Sequence, residues 1–167
     1  YVSPSGNDSH DCLSPATACA TISGALNKPG FVAGDTIRVA TGTYTGTDGA
    51  VVWLDKSVTL SGGWNGAFTI QSGNSTIDGQ GVRRGITVNR GVTTVIESFT
   101  VQNGAANGGG IFNEGALTLN KSTVSSNTAG SSSGGGINNY LGTLTLINST
   151  VSGNTGGVGG GISNDYG

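Results

Sequence analysis

At 167 residues the chain has room for one domain with a real core, but not comfortably for two. Glycine supplies 32 residues, while charged residues make up 10% and aromatics 6%. Burial therefore falls to small β-branched and aliphatic side chains, which argues against a helical bundle. A formal net charge of -2 and scattered Lys and Arg residues argue against a nucleic-acid binder, and no apolar run is long enough to span a bilayer.

The chain opens on Tyr1 rather than Met, which leads to the expectation that a signal peptide or other upstream sequence has been removed. Next comes "CLSPATAC", a loop dense in turn formers that can bring Cys12 and Cys19 together. A disulfide is expected, worth roughly 2 to 3 kcal/mol for so small a loop in the chain-entropy model. It places the chain in an oxidising, extracellular or cell-surface setting. The alternative is a pair of free thiols in a cytosolic chain; zinc would need more nitrogen ligands than His10 provides. Ala18, Ile22, Ala25 and Leu26 fall on one face of a short helix that Lys28, Pro29 and Gly30 would end. Residues 1–35 are thus expected to form an N-terminal cap.

From residue 36 the apolar residues alternate with polar ones, the period of half-buried strands. Residues 36–84, including "DTIRVATGTYTG", "AVVWLDKSVTLSGGW" and "FTIQSGNSTIDGQG", carry this alternation with variable spacing, as first, irregular coils would. Residues 85–167 repeat. Three glycine triplets place Ile111, Ile137 and Ile162 in equivalent positions, with Asn113, Asn139 and Asn164 two residues beyond, at spacings of 26 and 25 residues. Downstream, Leu117 superposes on Leu144, Leu119 on Leu146, Val124 on Val151 and Asn127 on Asn154; "GITVNRGVTTVIESFTVQNGAAN" is a weaker, earlier copy.

Short strands bent apart by Gly and Asn turns cannot bury their faces alone, but stacking one period on the next closes a continuous core. A period near 25 residues without leucine-rich spacing predicts an all-β fold: a three-sheet parallel β-helix, a β-solenoid, with a short N-terminal capping helix. Coils about 4.8 Å apart would stack identical residues into ladders. The five asparagines fit such ladders, and they equally fit a plain turn preference. The final "VGGGISNDYG" begins a coil without its "LTL..STVS" half, so the expectation is a piece of a longer array or a coil completed by another subunit through self-association.

The opening stretch "YVSPSGNDSHDCLSPATACATISGALNKPGFVAGDTIRVATGTYTG" resembles the cap and first strands of the right-handed parallel β-helix proteins of the pectate-lyase-like superfamily, which implies a right-handed winding of the coils. The "GGGI.N...LTL..STVS.NTA" pattern is similar to the repeats of secreted bacterial β-helix proteins and polymorphic outer-membrane proteins. This resemblance implies fold more than function, since the superfamily includes lyases, glycosidases, adhesins and structural surface proteins.

Catalysis in such a fold would need converging groups: two carboxyls for glycoside hydrolysis, or a base with a cation for uronate elimination. The only histidine is His10, so no Gly-His-Gly is present, and the acids are mostly isolated along the chain. "IDGQGVRRG" brings Asp78, Arg83 and Arg84 within one coil, a weak catalytic candidate set that reads first as a tight turn. No metal site or cofactor is expected. Tyr140 and Tyr166 recur after successive glycine triplets, with Phe112 in the preceding copy, and could stack on a surface polysaccharide or merely cover coil corners. The reading reached is a non-enzymatic structural or adhesive module of the cell surface, against the alternative of a carbohydrate-active lyase or hydrolase.

Overall fold

The computed structural model describes residues 1–106, 108–131 and 134–166. Among them fifteen strands wind through five turns of a three-sheet parallel β-solenoid. The first coil is β1 (Thr36–Ala40), β2 (Gly42–Tyr44) and β3 (Ala50–Leu54); the second is β4 (Val58–Trp64), β5 (Ser75–Asp78) and β6 (Arg84–Val88). The third is β7 (Thr93–Glu97), β8 (Phe99–Gln102) and β9 (Ile111–Asn113). The fourth is β10 (Ala116–Asn120), β11 (Thr123–Ser125) and β12 (Ile137–Tyr140), and the fifth is β13 (Thr143–Ile147), β14 (Thr150–Ser152) and β15 (Ile162–Asp165). The first, second and third strands of every coil form sheets one, two and three.

Parallel register turns the sequence repeat into columns. Ile37, Leu60, Ile96, Leu119 and Leu146 stack in sheet one. Tyr44, Ile77, Val101, Val124 and Val151 stack in sheet two, and Val52, Ile86, Ile111, Ile137 and Ile162 in sheet three. These three columns face one another as the core, and through the fourth coil each member is 5% exposed or less. Truncating one such residue to Ala is worth about 2 to 5 kcal/mol. On the fifth coil no further coil is stacked, and Leu146 and Ile162 are 38% and 40% exposed.

Three buried hydroxyls inside this core donate to backbone carbonyls of the preceding coil. Thr94 Oγ1 donates to the Val58 carbonyl at 2.8 Å, Ser75 Oγ to the Ala40 carbonyl at 2.8 Å, and Ser122 Oγ to the Ile96 carbonyl at 3.2 Å. Each hydroxyl thereby removes the cost of its own burial.

The cap is built as the sequence implies, with one shift of boundary. The helix α1 is Ile22–Leu26, started by the Thr21 side chain accepting from the Gly24 N–H at 2.8 Å; Ala18 lies outside it, after a single 3-10 turn at Pro15–Thr17. Thr21 is itself held by Asp8, whose carboxylate accepts from the Ala20 and Thr21 N–H groups and from the Thr21 hydroxyl. Ile22, Ala25 and Leu26 are buried against the first coil. Val2 pairs with Val39 on one side and Cys19 on the other, so the edge of sheet one is covered. Cys12 and Cys19 are joined by a disulfide that closes the loop between these pieces.

Candidate functional site

The glycine triplets sit where each coil leaves sheet two for sheet three, and their lack of side chain is a packing requirement. A Cβ on Gly110 would lie 2.5 Å from the Gly136 carbonyl oxygen and 2.8 Å from Asn127 Nδ2; one on Gly136 would meet Gly161 O at 2.6 Å and Asn154 Nδ2 at 2.7 Å. The space belongs to the asparagines. Asn127 Nδ2 donates to the carbonyls of Val101 and Ser125, both at 3.0 Å, and to Asn154 Oδ1 at 2.9 Å, while Asn127 Oδ1 accepts from the Gly104 N–H at 2.7 Å. One buried side chain thus ties three coils together. A second row runs along sheet three: Asn113 Nδ2 donates to Asn139 Oδ1, and Asn139 Nδ2 to Asn164 Oδ1, each at 2.6 Å.

Asp78, at the end of β5, lies in an open polar groove of about 730 Å³ shared with Gln80, Asn103, Gly104, Ser126 and Thr128. Its Oδ1 accepts from the Gln80 N–H at 2.8 Å, and its Oδ2 from Gln102 Nε2 and Asn103 Nδ2, both at 3.0 Å. Partial desolvation pushes the carboxyl pKa up, but these donors, led by Gln102, outweigh it and hold the pKa below its ordinary value. Asp78 is therefore ionised at neutral pH, a poor general acid and a weak base.

The two arginines do not join it. Arg83 donates to Gln80 Oε1 at 2.6 Å and to the Asp48 carbonyl at 3.2 Å. Arg84 is on β6, in a different sheet, where it donates to Thr87 Oγ1 at 3.0 Å and lies 4.7 Å over the Phe112 ring. Burial lowers the Arg84 pKa and nearby Glu114 opposes that shift. Three residues of one coil thus serve two separate surfaces.

The second surface is aromatic. Phe112 and Tyr140 stack with centroids 6.2 Å apart and planes 19° from parallel, and Tyr140 meets Tyr166 edge-on at 6.0 Å. With Arg84 beneath Phe112, this ridge runs along the solenoid axis over the third, fourth and fifth coils. Tyr140 is 36% and Tyr166 82% exposed, so the ridge presents ring faces and edges to solvent. Recurrence after the glycine triplets singles out Tyr140 and Tyr166 in the sequence; the role of Arg84 in supporting the ridge appears only in the fold. Among the described residues no three His, Cys, Asp or Glu side chains converge as metal ligands, and no helix is long and apolar enough to cross a membrane.

The arrangement defines a three-sheet β-solenoid with amide ladders at its bends, a polar groove beside Asp78 and an axial aromatic ridge. Comparison of the chain with protein-family models, curated proteins and solved structures gives no match.

Proposed function

We propose that this chain is a non-enzymatic, extracellular structural or adhesive module, a stiff rod that presents regularly spaced groups to a surface polysaccharide. The observation that carries this reading is the coil-to-coil bonding: the stacked asparagines and core columns make each coil a template for the next. Stiffness along the axis is what such bonding supplies, and the ridge of Phe112, Tyr140 and Tyr166 follows the same axis. The disulfide supports an oxidising compartment. The repeat motifs support right-handed winding and kinship with secreted and outer-membrane β-helix proteins. On this reading the apolar edge of the fifth coil, with Leu146, Ile147 and Ile162 exposed, is where further coils or a second molecule stack.

The rival is a carbohydrate-active lyase or hydrolase working in the groove beside Asp78. One experiment separates the two. The folded protein is mixed with a panel of neutral and acidic polysaccharides, and retention is measured together with new reducing ends and unsaturated uronates. The expected result is retention that Tyr140→Ala weakens, with no product formed. Product formation that Asp78→Asn abolishes would install the enzyme instead.

A further inference from the structure

Between the cap and the first coil lies a cavity of about 520 Å³, within the size range of small-molecule sites. Leu13, Pro29 and Phe31 give it apolar walls, and Arg38 stands among its lining residues. Arg38 is held between two rings, its guanidinium 4.6 Å over Trp64 and 5.9 Å over Tyr1. Stacking fixes the plane of a guanidinium and leaves its N–H edge available. No hydrogen bond or ion pair from this side chain is formed among the described residues. The other charged groups of the cavity are engaged locally. Lys28 donates to the Asp8 carbonyl, Asp11 accepts from the Leu13 N–H and the Thr17 hydroxyl, and Asp35 accepts from the Val32 N–H.

We infer that this cavity binds an amphiphile with a single carboxylate head, the head paired with Arg38 and the apolar body lying against Leu13 and Phe31. A planar carboxylate matches the guanidinium fork, and the acids Asp11 and Asp35 disfavour a second negative charge on the ligand. The site is on the cap, away from the aromatic ridge and the Asp78 groove, and does not depend on the adhesive reading.

The test is titration of the protein with decanoate, decanol and decyltrimethylammonium, followed by backbone amide shifts. Decanoate should bind more tightly than the other two and move the signals of Leu13, Phe31 and Ile37. Arg38→Gln removes a charge-assisted pair and should weaken decanoate by about tenfold or more while leaving decanol unchanged. Gly30 lines the cavity and a Cβ there meets open space, so Gly30→Leu should be tolerated by the fold and, by narrowing the cavity, should weaken binding of all three probes. Circular dichroism establishes that both variants remain folded. The inference is overturned if decanoate does not bind, if decanol or the ammonium binds as well, or if Arg38→Gln has no effect. Shifts at Leu144, Leu146 and Ile162 would equally overturn it by placing the probe on the fifth coil.

Discussion

Asn113 and Asn139 are 26 residues apart in sequence, yet Nδ2 of the first donates to Oδ1 of the second at 2.6 Å, both side chains almost fully buried. The bond is possible because β9 and β12 pair in parallel with Asn113 opposite Asn139, and a period that changed by one residue would turn one of the two out of the core. Turn preference alone would not require this pairing. Asn139 also donates to the Gly142 carbonyl at 2.9 Å, so the ladder closes the bend as well as joining the coils.

The ladder predicts a steep contrast between asparagines. Asn127→Ala would leave the Gly104 N–H and the Val101 carbonyl without their side-chain partner and should cost about 3 kcal/mol, the sum of more than one orphaned buried group. Asn120→Ala removes a part-buried bond to Glu97 at 3.1 Å and should stay within about 0.5 kcal/mol. Urea midpoints of the two variants measure the difference; equal midpoints would mean that the stacked amides add nothing beyond turn formation.

Much of this was legible in the sequence because the last coils share one period. Leu117 with Leu144, Val124 with Val151 and Ile111 with Ile137 are partners in the structure as in the alignment. The early coils were less legible because their corners differ in length: between β4 and β5 the chain makes a long excursion in which Trp64 pairs antiparallel with Gln71. The candidate set Asp78, Arg83 and Arg84 illustrates a different limit. Closeness along one coil is not convergence, since a corner intervenes and puts Asp78 and Arg84 on different sheets. Arg38 was missed altogether, because its ring partners Tyr1 and Trp64 come from the cap and the next coil.

Glycine should be tested by space rather than by composition. Gly110→Ala forces a methyl group against a backbone carbonyl and an asparagine amide, neither of which can retreat without breaking the ladder, and should cost more than about 3 kcal/mol or prevent folding. At Gly130 a Cβ meets nothing within 4 Å, so Gly130→Ala should be neutral within about 0.5 kcal/mol. Thermal melts of the pair give the answer; similar melting temperatures would show that the corner adapts freely.

The disulfide closes a seven-residue separation and lies wholly in the cap. In the chain-entropy model its removal costs about 2.5 kcal/mol, and the loss should be local. Hydrogen exchange of the Cys12→Ser, Cys19→Ser double variant should show faster exchange at Val2, Ser3 and Cys19→Ser, whose amides bond within the cap and to β1. Protection at Ile111 and Leu119 should persist, because those strands are bonded to neighbouring coils. Uniform loss of protection along the chain would instead make the cap an obligatory part of the folding unit.

Asp78 gives the pH dependence that bears most directly on chemistry. Its folded pKa is depressed, so its carboxylate contributes stability that is present above the unfolded value, near 4, and is lost as pH falls through the lower folded value. Asp78→Asn should therefore flatten the acid limb of a stability-against-pH curve below about pH 4, leaving the curve's shape near neutrality unchanged. Carbon-detected titration of the side chain should place its midpoint below that of an ordinary aspartate, consistent with donation from Gln102, the Gln80 N–H and Asn103. A midpoint raised toward neutrality would reverse the argument: the groove would then hold a protonatable carboxyl, and the hydrolase or lyase reading would gain the acid it otherwise lacks.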